Sequence, residues 1–416
     1  MRAYLDHAAT SPMPAEVLEA YSEALAEIGN PASTHGHGQA ASERLEQARE
    51  RIARALGCDP ALVTLTGGGT ESINLALKGM YWAARRSSSS RNALLIAEGE
   101  HHATIEAAEW LRDEQGAELH WLPIDEHGLL RPETLREAIA RVGAERVALA
   151  SFLWGNNEVG GMLPVRGLAA VARDHGVPVH LDAVAALGQL PIDFGELTGL
   201  GVDALSVSAH KIGGPVGVGA LLLSRRASID PLLHGGSQQR ARSGTQNVAG
   251  AVAFASALEL AYGDDFETRI ARLTVLRDRL IEGVLERVPG AVLRGPAPSA
   301  RVEGSAGTAD AGAGAGTDLV AFARLPGNAH FTFEGCQGDS LVFLLDAAGV
   351  SASVGSACRA GVAEVSHVLL AMGIREHEAV GSLRFTLSPS TSDVEVDTLL
   401  DALPEVVRRA RAAGLS

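Results

Sequence analysis

Seven short apolar runs, separated by longer amphipathic segments, are the feature that most limits how this chain can fold. A run of this length matches a strand that is buried on both faces, and apolar residues spaced three and four positions apart match a helix. Their alternation predicts an α/β fold in which helices cover both sides of a mainly parallel seven-stranded sheet. In such sheets ligands bind beyond the carboxyl ends of the strands. The runs are LVTLT (62–66), ALLIA (93–97), ELHWLP (118–123), VALASFL (147–153), VPVHLD (177–182), ALSVS (204–208) and GALLLS (219–224).

The same patterns divide the 416-residue chain into two predicted domains. Residues 1–262 form a large domain that ends in an apolar helix over residues 249–262. Roughly its first 15 residues are expected to pack with the second domain. Residues 263–416 form that smaller α+β domain. Within it, residues 296–317 are rich in Gly and Ala and have hardly any large apolar side chain, so we expect a flexible surface insertion there.

Composition excludes several classes of protein. A net charge of -15, with 46% hydrophobic and 20% charged residues, indicates a soluble globular protein for which nucleic acids are poor partners. No signal peptide or membrane span is predicted, so we expect a cytoplasmic protein without a membrane partner. The three cysteines, Cys58, Cys336 and Cys358, form no CxxC pair or Cys/His cluster. Neither a disulfide framework nor a metal site is therefore predicted.

Two polar, glycine-rich turns follow apolar runs. Lys211 lies in SAHKIGGP after the run at 204–208, where partial burial would favour a neutral amine that can condense with an aldehyde; the alternative is a solvated lysine. The segment TGGGTES (66–72) offers glycines, the hydroxyls of Thr70 and Ser72, and free helix N–H groups. This pattern fits a phosphate group or an ordinary helix start. It lacks the GK[ST] ending of a nucleotide P-loop, which disfavours ATP.

Two more polar side chains also follow apolar runs. Asp182 ends VPVHLD, where a buried carboxylate needs a cation such as a protonated pyridine nitrogen; a salt bridge or a helix cap is the alternative. His101 in GEHHAT could stack on a flat ring and transfer protons near neutral pH, although His102 is an equal candidate for the exposed position. A lysine for an aldehyde, a phosphate cradle and a carboxylate for a ring nitrogen together predict pyridoxal 5'-phosphate (PLP).

Ten short motifs occur along nearly the whole chain in an order typical of one known family. They are YLDHAAT (4–10), GNPAS (29–33), TGGGTES, GEHHA, GNNEVG (155–160), HLDAV, SAHKIGGP, RARSGTQN (240–247), GSAC (355–358) and LRFTLS (383–388). Together they resemble the cysteine desulfurases of the iron-sulfur-assembly type, within the class V aminotransferase branch of fold-type I PLP enzymes. The resemblance implies the fold of a PLP-dependent transferase and the conversion of L-cysteine to L-alanine.

The resemblance also implies a role for each motif residue. Lys211 would bind the cofactor aldehyde and then transfer the proton at the substrate α-carbon. Asp182 would hold the pyridine nitrogen, and His101 would stack on the ring and assist proton transfer. Arg384 would bind the substrate carboxylate, because the guanidinium fork matches a carboxylate in two places. The phosphate would be contacted by Gly69, Thr70, Ser208 and His210, and in a homodimer also by Thr245 of the neighbouring subunit. Asn157 would contact both cofactor and substrate, and Asn30 would contact the substrate.

Cys358 decides the reaction type, because the other site residues are common to many PLP enzymes. The segment SASVGSACRAGVAEVS (351–366) is rich in small residues and predicts a mobile loop that carries a thiol into and out of the site. An ordinary thiol is only a few per cent thiolate at pH 7, so it would need activation there. The resemblance implies that Cys358 removes the substrate sulfur as a persulfide and passes it to an acceptor protein. Cys58 and Cys336 match no motif and are predicted to be structural.

The chain departs from the family pattern at a few positions. Ala185 stands three residues after Asp182, where the family has a glutamine that hydrogen-bonds the cofactor's phenolic oxygen. Gln239 replaces a common acidic residue, and the insertion at 296–317 has no counterpart in compact relatives. Two other functions stay open. A selenocysteine lyase, or another PLP lyase or transaminase, would not need Cys358, and a catalytically degenerate sulfur-transfer subunit would have no turnover.

Overall fold

The computed structural model describes residues 2–236, 239–301, 323–355 and 365–414, so Cys358 and residues 302–317 of the predicted insertion lie outside the described residues. The helices are α1 Ala15–Ala26, α2 Gly36–Ala55, α3 Gly69–Ser87, α4 His102–Gln115, α5 Pro132–Val142, α6 Val165–Asp174, α7 Phe194–Leu200, α8 Val248–Ala261, α9 Phe266–Arg287, α10 Gly338–Ala347, α11 His367–Ala371, α12 Glu376–Ala379 and α13 Asp393–Gly414. The strands are β1 Ala3–Tyr4, β2 Val63–Thr66, β3 Ala93–Ala97, β4 Glu118–Leu122, β5 Val147–Leu153, β6 Val179–Asp182, β7 Ala204–Ser208, β8 Gly219–Leu223, β9 Ala291–Arg294, β10 Asn328–Phe333, β11 Val350–Ser351 and β12 Ser382–Thr386.

Strands β2 to β8 form one seven-stranded sheet in the order β2-β8-β7-β6-β5-β3-β4. Strand β8 is antiparallel to β2 and β7, and the other neighbours are parallel. Each of the seven apolar runs coincides with one of these strands. All residues of β3, β5, β6 and β7 are buried, because helices cover both faces of the sheet centre. The prediction of a mainly parallel seven-stranded sheet is confirmed.

The helices bury the faces that their apolar spacing defines. On α2, the side chains of Leu45, Ala48 and Ile52 are buried, while those of Glu46 and Glu50 are exposed. Helix α8 is apolar on nearly all sides and packs against both α1 and α2. It corresponds to the apolar helix expected over residues 249–262. No helix in the described ranges has both the length and the apolar character that crossing a membrane would require.

A second, antiparallel sheet contains β12, β10 and β9 in that order. Helix α9 packs against it and α13 packs against α9, so that Leu280, Phe331 and Leu403 share a separate apolar core. The start of the chain joins this unit, since β1 pairs in parallel with β11 and Asp6 forms a bridge with Thr386. The N-terminal residues thus lie beside β11 and the end of β12.

The two units share part of their apolar packing. Ala323, Leu325 and Val368 follow residue 262 in the sequence but are buried in the core of the seven-stranded sheet. The division of the chain at residue 262 therefore stays a prediction. Side chains from both units can approach one another along this shared boundary.

Candidate active site

The last residues of three neighbouring strands line one cavity of about 740 Å³. Leu153 ends β5, Asp182 ends β6 and Ser208 ends β7. Because these strands are parallel, their carboxyl ends meet at one edge of the sheet, where open α/β sheets bind ligands. Arg384 and Thr386 of β12 line the same cavity, so both units contribute to it.

Lys211 is one of only two lysines in the chain, and it lies in a single helical turn directly after β7. Gly213 ends this turn with a φ of +80°, and a side chain there would meet the Pro12 carbonyl at 2.7 Å. The Nζ atom of Lys211 donates to the carbonyl of Ala8 and, at 3.3 Å, to that of Ala9. Backbone oxygens of the N-terminal segment therefore hold the amine at the cavity wall.

The environment of Lys211 favours its neutral amine. Burial, and then the positive charge of Arg384, lower the pKa of Lys211 to about 8, although Asp182 and Asp6 act in the opposite direction. About one tenth of this amine is neutral at pH 7, compared with about one in 2,500 for an ordinary lysine. The Lys211 amine is thus a much better nucleophile toward an aldehyde near neutral pH.

We expect the reaction of Lys211 with a small neutral aldehyde to become about 50-fold faster from pH 6 to pH 8 and to level off above pH 9, as the neutral fraction does for a pKa of about 8. The adduct in the cofactor-free protein can be trapped by borohydride reduction and quantified by peptide mapping. Lys78 is the internal control, because its Nζ lies 4.3 Å from the Trp110 ring on the outer helices and does not line the cavity. Equal labelling of the two lysines at every pH would contradict this prediction.

Asp182 is 2% exposed, and its Oδ1 accepts the N–H of Val184 at 2.9 Å. Burial raises the pKa of Asp182 to about 6, against the opposing effects of the Val184 N–H and of Lys211. No ion pair among the described residues includes this carboxyl group. A nearby cation would stabilise its ionised form, and a protonated ring nitrogen is a cation of suitable shape.

A buried chain of hydrogen bonds crosses three strands next to Asp182. The ring of His180 on β6 bonds the Ser151 hydroxyl of β5 through Nδ1 and the Ser206 hydroxyl of β7 through Nε2, both at 2.8 Å. Burial lowers the pKa of His180 to about 3, so the ring is neutral. His180 lies two residues before Asp182, on the same face of the strand. It therefore fixes the part of β6 that carries the carboxylate.

The start of α3 forms another wall of the cavity. Helix α3 begins at Gly69, and no hydrogen bond among the described residues uses the N–H of Gly69 or Thr70. A Cβ at Gly69 would lie 2.8 Å from Cγ2 of Val184, so a larger residue would push the helix start away from the end of β6. Ser208 and His210 line the same cavity. Free N–H groups at a helix N-terminus attract anions, and this wall fits a phosphate group.

His101 is the N-cap residue of α4, and its Nδ1 accepts the N–H of Ala103 at 3.1 Å. This bond assigns the proton of the neutral ring to Nε2. The ring has accessible surface because it lines the cavity, yet burial by the surrounding protein, and then the charge of Lys211, lower its pKa to about 4. His102 also lines the cavity, with its ring centroid 4.8 Å from that of His367. The His101 ring is thus neutral near pH 7 and can stack on a ligand or donate to it.

Arg384 is 6% exposed, and one nitrogen of its guanidinium group has no hydrogen-bond partner among the described residues. Its Nη2 donates to Oδ1 of Asp6 at 3.0 Å and its Nη1 donates to the carbonyl of Asn157 at 2.9 Å, while the buried Nε has no partner among the described residues. Such a guanidinium group matches a small carboxylate ligand. Sequence reasoning missed the role of Asp6, although Asp6 lies in the YLDHAAT motif, because it is 378 residues from Arg384 along the chain.

Two predicted site residues do not line the cavity of the described chain. Asn30 is exposed, and its Oδ1 accepts the N–H of Ala32 at 3.0 Å. Thr245 is also exposed. The segment around Thr245 is tied to the start of α3, because Nε of Arg242 donates to Glu71 at 3.0 Å. The roles of Asn30 in the substrate pocket and of Thr245 in a partner subunit stay predictions.

The two departures from the family pattern have different surroundings. Ala185 lines the cavity, and its side chain offers no hydrogen bond. Gln189 is close to it, but its amide donates to the Ala185 carbonyl at 3.2 Å and accepts the N–H of Gly327 at 2.8 Å, so it does not replace the missing glutamine. Gln239 does not line the cavity and pairs with the N–H and the carbonyl of Leu65, at 2.9 and 2.7 Å, along the edge strand β2.

The two described cysteines differ from a reactive thiol. Burial raises the pKa of Cys58 to about 12, and Asp59 adds to this effect. Cys336 is buried, and burial raises its pKa as well. Both thiols are therefore poor nucleophiles near pH 7, in keeping with a structural role.

Comparison with known proteins gives consistent matches along the chain. The family model for aminotransferase class-V matches residues 3–307. An IscS-like cysteine desulfurase of Mycobacterium tuberculosis is 48% identical over 415 residues, which cover 100% of this chain and 98% of the relative. The cysteine desulfurase IscS of Dictyoglomus turgidum is 38% identical over 410 residues, which cover 98% of this chain and 95% of the relative.

Solved structures agree with these sequence matches. A NifS-like protein has a TM-score of 0.83 at 30% identity, covering 98% of this chain and all of that one. A structure of SspA in complex with cysteine has a TM-score of 0.74 at 28% identity, covering 94% of this chain and 100% of that one. The chain therefore belongs to the aminotransferase class-V family, within its cysteine desulfurase group.

Proposed function

We propose that this protein is a PLP-dependent cysteine desulfurase that converts L-cysteine to L-alanine and transfers the sulfur, through a persulfide on Cys358, to an acceptor protein. The observation that carries this proposal is that Lys211, Asp182 and Arg384, three residues distant in the sequence, line one cavity at the edge of the sheet. The cysteine desulfurases to which the chain is similar over its whole length support the reaction. The similar SspA structure contains cysteine, which supports the substrate.

The residues of the cavity fit PLP. The Lys211 amine matches the aldehyde, the buried Asp182 carboxyl matches the ring nitrogen, and the free N–H groups of Gly69 and Thr70 match the phosphate. Ser208, His210 and Asn157 line the same cavity and can complete these contacts. When bound, PLP withdraws electrons from the α-carbon of an amino acid and so weakens the bonds around that carbon.

The chain's own residues have separate tasks in this proposal. Arg384, held by Asp6 and by the Asn157 carbonyl, binds the substrate carboxylate and orients the amino acid. Lys211, with a pKa near 8, can both accept and return the proton at the α-carbon. His101, neutral and protonated on Nε2, covers the ligand and can donate a hydrogen bond.

The sulfur step needs only Cys358 as an additional reactant. The thiolate of Cys358 attacks the substrate sulfur, a new S–S bond forms, and the bond between that sulfur and the substrate β-carbon breaks. Its electron pair stays with the carbon and is then protonated, so that L-cysteine and the enzyme thiol give L-alanine and an enzyme persulfide. Atoms and electrons balance without an external oxidant, and a reductant or an acceptor protein is required only to release the sulfur.

The proposed enzyme acts as a homodimer. Thr245 and its exposed segment lie outside the cavity of their own chain, in keeping with a phosphate contact to a partner subunit. The acceptor is a protein that takes sulfur from a persulfide. Gly355, three residues before Cys358 in the sequence, lines the cavity, so the acceptor is expected to approach from that side.

The test is to supply the PLP-loaded protein with L-cysteine and to measure alanine and sulfide with and without a reductant. We expect one alanine per active site without reductant, accompanied by a trapped persulfide, and continuous formation of both products with it. Absence of alanine in a protein that binds PLP would overturn the proposed reaction. Turnover of selenocysteine with no turnover of cysteine would instead identify a selenocysteine lyase.

A further inference from the structure

Glu100 is a buried carboxyl group to which the proposed reaction gives no role. It precedes His101 at the start of α4 and is 1% exposed. Its Oε1 accepts the N–H of Leu153 at 2.7 Å, but its Oε2 has no hydrogen-bond partner among the described residues. The hydroxyl of Thr104, which is 0% exposed, also has no partner in hydrogen-bonding geometry among the described residues, although it lies close enough to the Glu100 carboxyl group to lower its pKa. Two unpartnered polar atoms therefore lie buried within one turn of α4.

The backbone places Glu100 beside Asp182. Leu153, whose N–H binds Glu100, is the direct partner of Asp182 across the pair β5–β6, and the next residue, Trp154, donates its N–H to the Asp182 carbonyl at 2.8 Å. The two carboxyl groups thus face the end of the same strand pair. Both Glu100 and Asp182 line the cavity, so both carboxyl groups can influence a ligand that binds there.

The charges around this pair favour ionisation of Asp182 over Glu100. Asp182 has the Val184 N–H and the nearby Lys211 charge, both of which favour its anion. For Glu100, only the Leu153 N–H and the Thr104 hydroxyl favour the anion. The ring of His367 on α11 contacts the backbone carbonyl of Glu100 at 2.9 Å and not its carboxyl group. Burial, and then repulsion by Asp182, raise the pKa of Glu100 well above its usual value. Two buried carboxyl groups that repel each other, with a cation acting on Asp182 alone, retain one proton.

We propose that Glu100 is a positioning residue that carries the shared proton of this pair. Its O–H group donates a hydrogen bond to the oxygen of the Thr104 hydroxyl. Asp182 is then the single negative charge that faces the cofactor ring nitrogen. This assignment rests on the proposed function for the identity of the ring. It accounts for both unpartnered atoms at once, because the proton on Oε2 satisfies the Thr104 oxygen while Oε1 keeps the Leu153 N–H. A second anion here would compete with Asp182 for the same positive charge.

The protonation of Glu100 can be measured without PLP and without turnover. At pH 7, the infrared difference spectrum between the cofactor-free wild type and Glu100→Gln is expected to contain the C=O band of a neutral carboxylic acid. In Thr104→Val this band is expected to persist and to shift, because the O–H loses its acceptor. A difference spectrum with only carboxylate bands would overturn the proposal.

The affinity for PLP at pH 7 provides the second measurement. Glutamine copies the shape and neutrality of the protonated acid, so Glu100→Gln is expected to keep the dissociation constant within about threefold and the visible absorption unchanged. Glu100→Leu removes the acceptor for the Leu153 N–H and is expected to weaken binding about tenfold, a cost typical of one unpaired buried group. A loss of more than tenfold in the folded Glu100→Gln protein would overturn the proposal. If both measurements succeed but cysteine is not consumed, the proposed function fails and the proton assignment stands.

Discussion

Replacement of Lys211 by alanine is expected to lower the rate of alanine formation from cysteine by at least about 10⁴-fold, since a single residue supplies both the covalent anchor and the proton transfer. The fold is expected to tolerate the change, because the hydrogen bonds that Lys211 makes within the described ranges are those to the carbonyls of Ala8 and Ala9 at the cavity wall. Water can take its place there. Alanine formation and the temperature of thermal unfolding, measured on the same preparation, check the two halves of this prediction.

Lys78→Ala is the matched control for that substitution. Burial also lowers the pKa of Lys78, but this lysine packs over Trp110 on the outer helices. Its loss is expected to leave the rate unchanged within about twofold. A small amine added to Lys211→Ala is expected to restore part of the activity, since it supplies a proton acceptor at the empty position. If Lys211→Ala keeps more than about one hundredth of the activity, the assigned role of this amine is wrong.

The strands of the large sheet could be predicted because their burial is visible in composition alone. VALASFL and ALSVS are continuous apolar runs, and each became a central strand with every residue buried. The polar residues that follow such runs could be assigned to this edge of the sheet, because parallel strands bring their carboxyl ends together. Lys211 and Asp182 are examples, and both line the cavity.

Contacts that depend on the return of distant segments could not be predicted. Asp6 binds Arg384 only because the chain start runs beside β12, and nothing in the spacing of the two residues indicates this contact. Glu100 lies in the GEHHAT segment, and its significance comes from a buried carboxyl group beside which the described part of the chain places no cation. The side chain of Asn30 accepts the N–H of Ala32, a local contact that its motif did not indicate, and its role in the substrate pocket stays a prediction.

Substitution of Cys358 by alanine is expected to abolish persulfide formation and to reduce cysteine-dependent alanine formation to below about one hundredth of the wild-type rate. Cys358 lies outside the described residues, so this expectation rests on the GSAC motif and on the inertness of the other thiols. Burial raises the pKa of Cys58 to about 12 and that of Cys336 in the same direction, so neither forms a thiolate near pH 7. PLP binding and its visible absorption are expected to be unchanged, because Lys211 and Asp182 remain.

The control is Cys58→Ala, which removes a partly buried thiol that matches no family motif and is expected to keep full turnover if the protein folds. Two outcomes of the Cys358→Ala measurement separate the remaining functions. Unchanged conversion of cysteine to alanine would mean that the carbon–sulfur bond breaks without a protein thiol, as in a selenocysteine lyase or another PLP lyase. Binding of PLP with no conversion by either the wild type or the variant would indicate a degenerate subunit. Only loss of conversion together with loss of the persulfide supports a sulfur transfer that proceeds through Cys358, because only then are the two products formed in one step.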